Sequence, residues 1–255
     1  LGYNPVFLTR GYGGLKKGPI EVNNSHHFQD VGDESILLSK VGTTIVSRNR
    51  SLGAKFIEKH RNKFNIIIMD DGLQNYQLKQ DIKFLLVDKK LKLGNGYCLP
   101  AGPLRQPIER GLNDIDKIIL TGESDKNEED LFKSFNIPVV KSNIKTTNLP
   151  KLKKEKLLAF CGLANPYKFF DTLKKNGYEI SSTRKFPDHY AYKKNDINNL
   201  IFDANDLNLK LITTEKDYIK ISENKDQIHF LPIELELCVK DKLNFELFLQ
   251  DKLNA

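Results

Sequence analysis

Short apolar, β-branched runs alternate along this chain with stretches whose apolar residues recur every three or four positions. The first pattern is that of buried strands and the second that of helices lying over them. Strands are predicted over residues 6–9, 44–47, 66–70, 83–88, 117–121 and 138–141. A helix is predicted from Ser51 as N-cap to Phe64, with Phe56, Ile57, His60 and Phe64 on one face. The Lys/Thr/Asn-rich stretch 142–155 reads as a linker. Beyond it the alternation restarts: strand 156–161, helix 166–176, strand 178–181, helix 195–205, strand 209–213, a short helix near 215–221, strand 228–232 and a last helix over 242–252. Strand–helix alternation of this kind predicts parallel sheets with crossover helices. Two α/β lobes are expected, 1–147 and 155–255, with the cleft between them as the natural place for a substrate.

Composition narrows the class. With 39% hydrophobic and 29% charged residues in 255, the chain reads as globular, and no apolar run approaches the roughly 20 residues of a bilayer span. Three scattered cysteines (Cys98, Cys161, Cys238) with no C-x-x-C pair exclude a disulfide scaffold and a structural zinc site, and fit a reducing compartment. The net charge is +7. Most of the cations are lysines spread through an Asn-rich chain, as nucleotide bias would produce. The seven arginines are more telling, because Arg10, Arg48, Arg50, Arg61, Arg105 and Arg110 all fall in the first 110 residues. A planar, bidentate cation used sparingly suggests phosphate handling there. The basic excess is diffuse and lacks base-stacking aromatic clusters, so no nucleic-acid partner is expected.

Several motifs carry candidate chemistry. Ile66-Ile67-Ile68-Met69-Asp70-Asp71-Gly72 is a buried strand ending in carboxylates, the way P-loop folds present an acid to a nucleotide's Mg²⁺. It is equally a strand ending in an Asp-Gly turn. The partner motif G-x-x-x-x-G-K-[ST] is absent. The chain starts at Leu1 and enters a strand almost at once, so a natural beginning upstream, carrying that loop, is expected. Arg10-Gly11-Tyr12-Gly13-Gly14 follows a strand and permits close backbone approach to a ligand, with Arg10 and Tyr12 as donors, or is a flexible turn. Gly32-Asp33-Glu34 offers a general base or simply an acidic helix start. The Pro/Gly-shaped loop from Gly94 to Arg105 is either functional or a structural connection. Phe186-Pro187-Asp188-His189-Tyr190 puts an imidazole in a loop, and Thr214-Glu215-Lys216-Asp217 reads first as a capped helix start.

The order and wording of these motifs resemble one family. Arg10-Gly11-Tyr12-Gly13-Gly14, Gly32-Asp33-Glu34, Asp70-Asp71-Gly72-Leu73-Gln74, Gly94-Asn95-Gly96, Leu99-Pro100-Ala101-Gly102-Pro103-Leu104-Arg105, Gly162-Leu163-Ala164-Asn165-Pro166 with Phe169 and Phe170, Asp188-His189 and Thr214-Glu215-Lys216-Asp217 together are similar to the tetraacyldisaccharide 4'-kinases of Gram-negative lipid A biosynthesis. The resemblance implies an α/β fold: a P-loop-kinase-like parallel-sheet lobe, here lacking its first strand and P-loop, and a smaller Rossmann-like α/β lobe. It implies ATP- and Mg²⁺-dependent phosphorylation of the 4'-hydroxyl of an acylated glucosamine disaccharide 1-phosphate, by a peripheral enzyme at the cytoplasmic face of the inner membrane. By motif, Asp33 matches the catalytic base and His189 its partner. Asp70 and Asp71 match the metal-binding acids, with Gln74 beside them at the cofactor. Arg10, Tyr12, Glu34, Arg105 and Gln106 match positions near phosphates or the disaccharide. Ser35, Asn75 and Gln106 depart from the family wording, and Gln106 replaces a carboxylate. Without a P-loop the stretch from Leu1 is expected not to hold ATP properly. The alternative expectation is a kinase-like protein that only binds an anionic glycolipid or sugar phosphate.

Overall fold

A computed structural model of the chain describes residues 1–60, 62–122, 132 and 135–254. The chain forms two compact units. One joins residues 2–72 to 146–233; the other joins residues 73–145 to the chain from Glu234 onward. The expected division, 1–147 against 155–255, follows the chain linearly, whereas each compact unit is built from two separated segments.

In the first unit, β1 (Pro5–Thr9), β2 (Ile20–Glu21), β3 (Thr44–Val46) and β4 (Ile66–Met69) make a sheet of order β2-β3-β1-β4. Strand β1 runs parallel to both neighbours, with Phe7 opposite Thr44 and Ile68, and only the short β2 is antiparallel. The parallel edge brings the C-terminal ends of β1 and β4 together, where open α/β sheets bind ligands. Helices α1 (Phe28–Val31), α2 (Asp33–Val41) and α3 (Arg50–Glu58) fill the connections. The N-cap of α3 is Asn49, whose side chain accepts the Leu52 N–H at 3.0 Å, rather than the expected Ser51. Asn49 wins because its carboxamide reaches the orphan amide of the first turn. Helix α3 ends at Glu58, short of the expected Phe64, and Arg61 lies outside the described residues.

The same unit holds β8 (Lys156–Cys161), β9 (Glu179–Lys185), β10 (Lys210–Thr214) and β11 (Ile228–Leu231) in an all-parallel sheet of order β11-β10-β8-β9. Alternation along β8 explains its unbroken apolar run. Leu157, Ala159 and Cys161 face Phe169, Phe170 and Leu173 of α5 (Pro166–Lys175). Leu158 and Phe160 face Ile197 and Leu200 of α6 (Lys194–Asp206). Both faces of the strand are covered, so both registers must be apolar.

The second unit is a sheet of order β12-β7-β6-β5, from β5 (Phe84–Asp88), β6 (Lys117–Thr121), β7 (Val139–Thr146) and β12 (Ile233–Leu237). Its core is Val87, Leu112, Ile118, Leu120 and Phe132, under α4 (Ile108–Leu112). Strand β7 takes in the first part of the stretch expected to be linker. Its residues are polar at alternate positions while Val140 and Ser142 are buried, which is a strand pattern hidden by composition. Strand β12 went unpredicted for a similar reason, since Ile233, Leu235 and Leu237 alternate with glutamates that lower its apolar density. Helix α8 (Val239–Asn254) starts earlier than the predicted 242.

Candidate active site

The site in the first unit starts from glycines. After β1 the chain turns through Arg10–Gly14, and the amides of Leu15 and Lys16 donate to the Gln29 and Asp30 carbonyls at 2.9 and 2.8 Å. The turn therefore lies directly against α1. A Cβ on Gly14 would stand 2.7 Å from the Gly32 nitrogen. Gly32 itself has φ +88°, and a Cβ there would run into the Tyr12 carbonyl oxygen. Only glycine fits either position. Their close approach sets the entry to α2, whose first residue is Asp33.

Asp33 is only 4% exposed. One carboxylate oxygen accepts the Glu34 N–H at 2.9 Å, and the acid sits at a helix N-terminus, where negative charge is favoured. Its other oxygen, Oδ2, lies 3.1 Å from Nδ1 of His189. The imidazole comes from the loop after β9. Asp188 accepts the His189 N–H at 3.0 Å, and His189 has φ +55°, an uncommon conformation for a non-glycine residue. The Tyr12 ring stands edge-on to the imidazole with centroids 5.3 Å apart.

A third charged side chain meets this pair. Helix α7 (Glu215–Tyr218) follows β10, its N-cap Thr214 accepting the Asp217 N–H at 3.0 Å. From it Lys216 Nζ reaches Glu34 Oε1 at 3.1 Å, His189 Nε2 at 3.3 Å and Asp33 Oδ2 at 3.9 Å. Lys40 of α2 also pairs with Glu215 of α7 at 3.1 Å. Beneath α7, Asp217 accepts from the Gly162 N–H at 3.0 Å and the Thr214 hydroxyl at 2.7 Å, and pairs with Lys220 at 2.8 Å. That pair is almost fully buried. The motif read as a helix start is thus one, and it also anchors the lysine that meets His189.

Asp70 follows β4. Its amide donates to the Leu8 carbonyl at 3.1 Å, its carboxylate accepts the Thr9 hydroxyl at 3.1 Å, and its carbonyl accepts Arg50 Nη2 at 3.0 Å. Burial, followed by the nearby charge of Glu34, pushes the Asp70 carboxyl above its ordinary value; the Thr9 hydroxyl works against this and Asp71 adds to it. Asp71 turns away from the strand at φ +47°. Arg50 is buried, which lowers its pKa, while Asp70 opposes that shift.

Arg10, Tyr12, Asp33, Glu34, Asp70, Asp71 and His189 thus all belong to the first unit. Gln74, Arg105 and Gln106 belong to the second. There Arg105 Nη1 lies 3.5 Å from Gln74 Oε1, and the Tyr76 hydroxyl donates to Gln106 Oε1 at 3.1 Å. The Gly94–Arg105 loop closes on itself, with the Leu99 amide donating to the Leu104 carbonyl at 2.9 Å and Asn95 Nδ2 to the Ala101 carbonyl at 2.8 Å.

A family model for tetraacyldisaccharide-1-P 4'-kinase matches residues 1–254. The chain belongs to that family. The tetraacyldisaccharide 4'-kinase of Methylobacterium nodulans is 37% identical over 246 residues, covering 94% of this chain and 72% of the relative. That of Parvibaculum lavamentivorans is 40% identical over 219 residues, 85% of this chain and 64% of the relative. The Rickettsia akari enzyme is 36% identical, with coverage of 95% and 74%. Among solved structures, the LpxK of Aquifex aeolicus, described as an "apo" form in complex with ATP, superposes with a TM-score of 0.68. It is 24% identical and covers 96% of this chain and 78% of its own, so it shows the shared fold.

Within this kinase family member, three side chains at the site had no role assigned from the sequence, although Lys216 lies in one of the motifs. Thr9 and Arg50 hold Asp70, and Lys216 meets His189. The clustering of arginines pointed towards Arg50 without distinguishing it from its neighbours. Nothing local to Lys216 signals that a residue so far along the chain reaches Glu34, because the contact exists only through the fold.

Proposed function

We propose that this chain catalyses the family's reaction, transfer of the γ-phosphoryl of ATP to the 4'-hydroxyl of tetraacyldisaccharide 1-phosphate, with Asp33 as general base and His189 as the group that orients it. The observation that carries the reading is the 3.1 Å hydrogen bond between Asp33 and His189, which holds a nearly buried carboxylate beside an imidazole. The sugar oxygen attacks the γ-phosphorus, its proton passes to the Asp33 carboxylate, and the bond to the bridging oxygen breaks to release ADP. Phosphoryl transfer of this kind depends mainly on positioning and charge neutralisation.

The residues fit Mg²⁺. The donors around Asp70 are hard oxygens, and its carboxyl is raised chiefly by burial and then by the charge of Glu34, both of which a bound cation would offset. Among the described residues no cluster of three acid, His or Cys side chains forms a cage, and Mg²⁺ asks for only one or two carboxylates beside waters and phosphate oxygens. Asp70 and Asp71 would hold it, and once bound it neutralises charge on the phosphates. Arg10 and Tyr12 on the glycine turn, and Glu34 beside Asp33, are assigned to the disaccharide phosphate and sugar. By motif, Gln74 is assigned to the nucleotide, and Arg105 and Gln106 to the substrate. An acylated substrate supports a reaction at a lipid surface, and the use of ATP supports the cytoplasmic face of the inner membrane. No helix among the described residues is long and apolar enough to cross a membrane.

The test uses the purified protein. Given γ-³²P-ATP, Mg²⁺ and the lipid disaccharide in mixed micelles, it should place label on the 4'-oxygen, as identified by mass spectrometry of the product. Label on another oxygen, or none, contradicts the assignment.

A further inference from the structure

We propose that Lys216 is a positioning residue that holds His189 as its Nδ1–H tautomer. The imidazole then donates to Asp33, and the carboxylate alone is left to take the sugar proton. The inference rests on the functional reading of Asp33 and His189 above.

The argument is one of donors and lone pairs. A lysine ammonium has three donors and no acceptor, and an imidazole nitrogen that accepts from it must carry no proton. Lys216 Nζ lies 3.3 Å from His189 Nε2, so Nε2 is the accepting nitrogen. The ring's one remaining proton then sits on Nδ1, which faces Asp33 Oδ2 at 3.1 Å. An N–H at Nε2 would point at the ammonium, which offers donors only. The groups facing His189 are Asp33 from α2, Lys216 from α7 and the Tyr12 ring edge from the glycine turn. The Asp188 carboxylate accepts the His189 backbone N–H from the same loop.

Lys216 is itself held in place. Glu34 Oε1 lies 3.1 Å from Nζ and Asp33 Oδ2 lies 3.9 Å from it, so one ammonium balances two neighbouring acids. Its side chain is about one-fifth exposed, and the helix carrying it is pinned through Thr214 and Asp217. With Nε2 engaged, the proton taken from the substrate stops on Asp33 as a carboxylic acid and leaves from there after turnover. A phosphate ligand is the competing role for this lysine, and it predicts different kinetics.

The test combines a spectrum with kinetics. In ¹⁵N-histidine-labelled chain at neutral pH, His189, assigned by its loss in His189→Gln, should show a protonated Nδ1 and an unprotonated Nε2. Lys216→Met should free Nε2 and give a tautomer mixture, and Lys216→Arg should keep the wild-type pattern. In the active protein, Lys216→Met should lower kcat about ten- to a hundredfold with KM within about twofold, and Lys216→Arg should recover part of the loss. A His189 spectrum unchanged in Lys216→Met overturns the proposal, as does a large rise in KM at unchanged kcat, which marks a phosphate contact. Full activity in both Asp33→Ala and His189→Ala overturns the functional reading instead, and the spectrum still decides the tautomer.

Discussion

Asp33 and His189 stand 156 residues apart in the chain, and their side chains meet at 3.1 Å. The meeting depends on two local devices. Gly32 turns the chain so that Asp33 begins α2, and a left-handed backbone at His189 aims the ring back at the carboxylate. Disturbing either device should therefore uncouple stability from activity in characteristic ways.

Gly32→Ala forces a Cβ against the Tyr12 carbonyl at a φ of +88°, where side chains are strained. The expected cost is about 1–3 kcal/mol in urea unfolding. Activity should fall further than stability explains, because Asp33 is the next residue. An alanine variant as stable and as active as the parent would show that the turn relaxes freely.

Asp70 yields a pH prediction with a definite sign. Burial, with Glu34 and Asp71 nearby, raises its folded-state pKa above the ordinary 3.8. The folded protein therefore binds this proton more tightly than the unfolded chain, and the stabilisation is lost as pH rises through the folded pKa. At neutral pH without divalent ions, Asp70→Asn should melt at a higher temperature than the parent, and the difference should vanish below about pH 4. Mg²⁺ should raise the Tm of the parent more than that of the variant. Thermal melts in EDTA and in Mg²⁺ at both pH values check each part.

Lys220 and Asp217 form a buried pair 2.8 Å apart beneath α7. Lys220→Met strands the carboxylate without its cation and should cost about 3–5 kcal/mol in urea unfolding. A cost below about 1 kcal/mol would mean that the Gly162 amide and the Thr214 hydroxyl suffice to hold Asp217.

Cys161 is fully buried at the end of β8, and its thiol is pushed up to about 12, chiefly by burial and then by Asp217. Iodoacetamide at pH 8 should therefore leave it unmodified in the folded protein, while the half-buried Cys98 and Cys238 react. Peptide mass spectrometry reads all three, and labelling of Cys161 before unfolding would contradict the prediction.

Much of the architecture was legible in the sequence because parallel strands bury both faces. The run Leu157–Cys161 announces itself by unbroken apolar character; Ile66–Met69 reads the same way, but Ile67 and Ile68 are exposed, so that strand is not buried as expected. Strand β7 was obscured where polar residues alternate with the residues that pack, and β12 where glutamates alternate with apolar residues that stay largely exposed. The motif order led to the family, and local glycine chemistry pointed to the Arg10–Gly14 turn, whereas the need for glycine at position 32 shows only in the fold. The grouping of residues 2–72 with 146–233 was not legible, since it follows from contacts such as Lys40 with Glu215 that no local pattern encodes. For the same reason Lys216 looked like one more charge on a short helix.

The central claim is that Asp33 and His189 act as one unit in proton removal. Its most direct measurement is the single-turnover rate of phosphoryl transfer for Asp33→Ala, His189→Ala and the double variant, at saturating ATP and lipid disaccharide. Each single change should slow the step by about 10²–10⁴-fold, and the double variant should be scarcely slower than Asp33→Ala alone. Losses that multiply in the double variant, or single variants that turn over at the parent rate, would contradict the account.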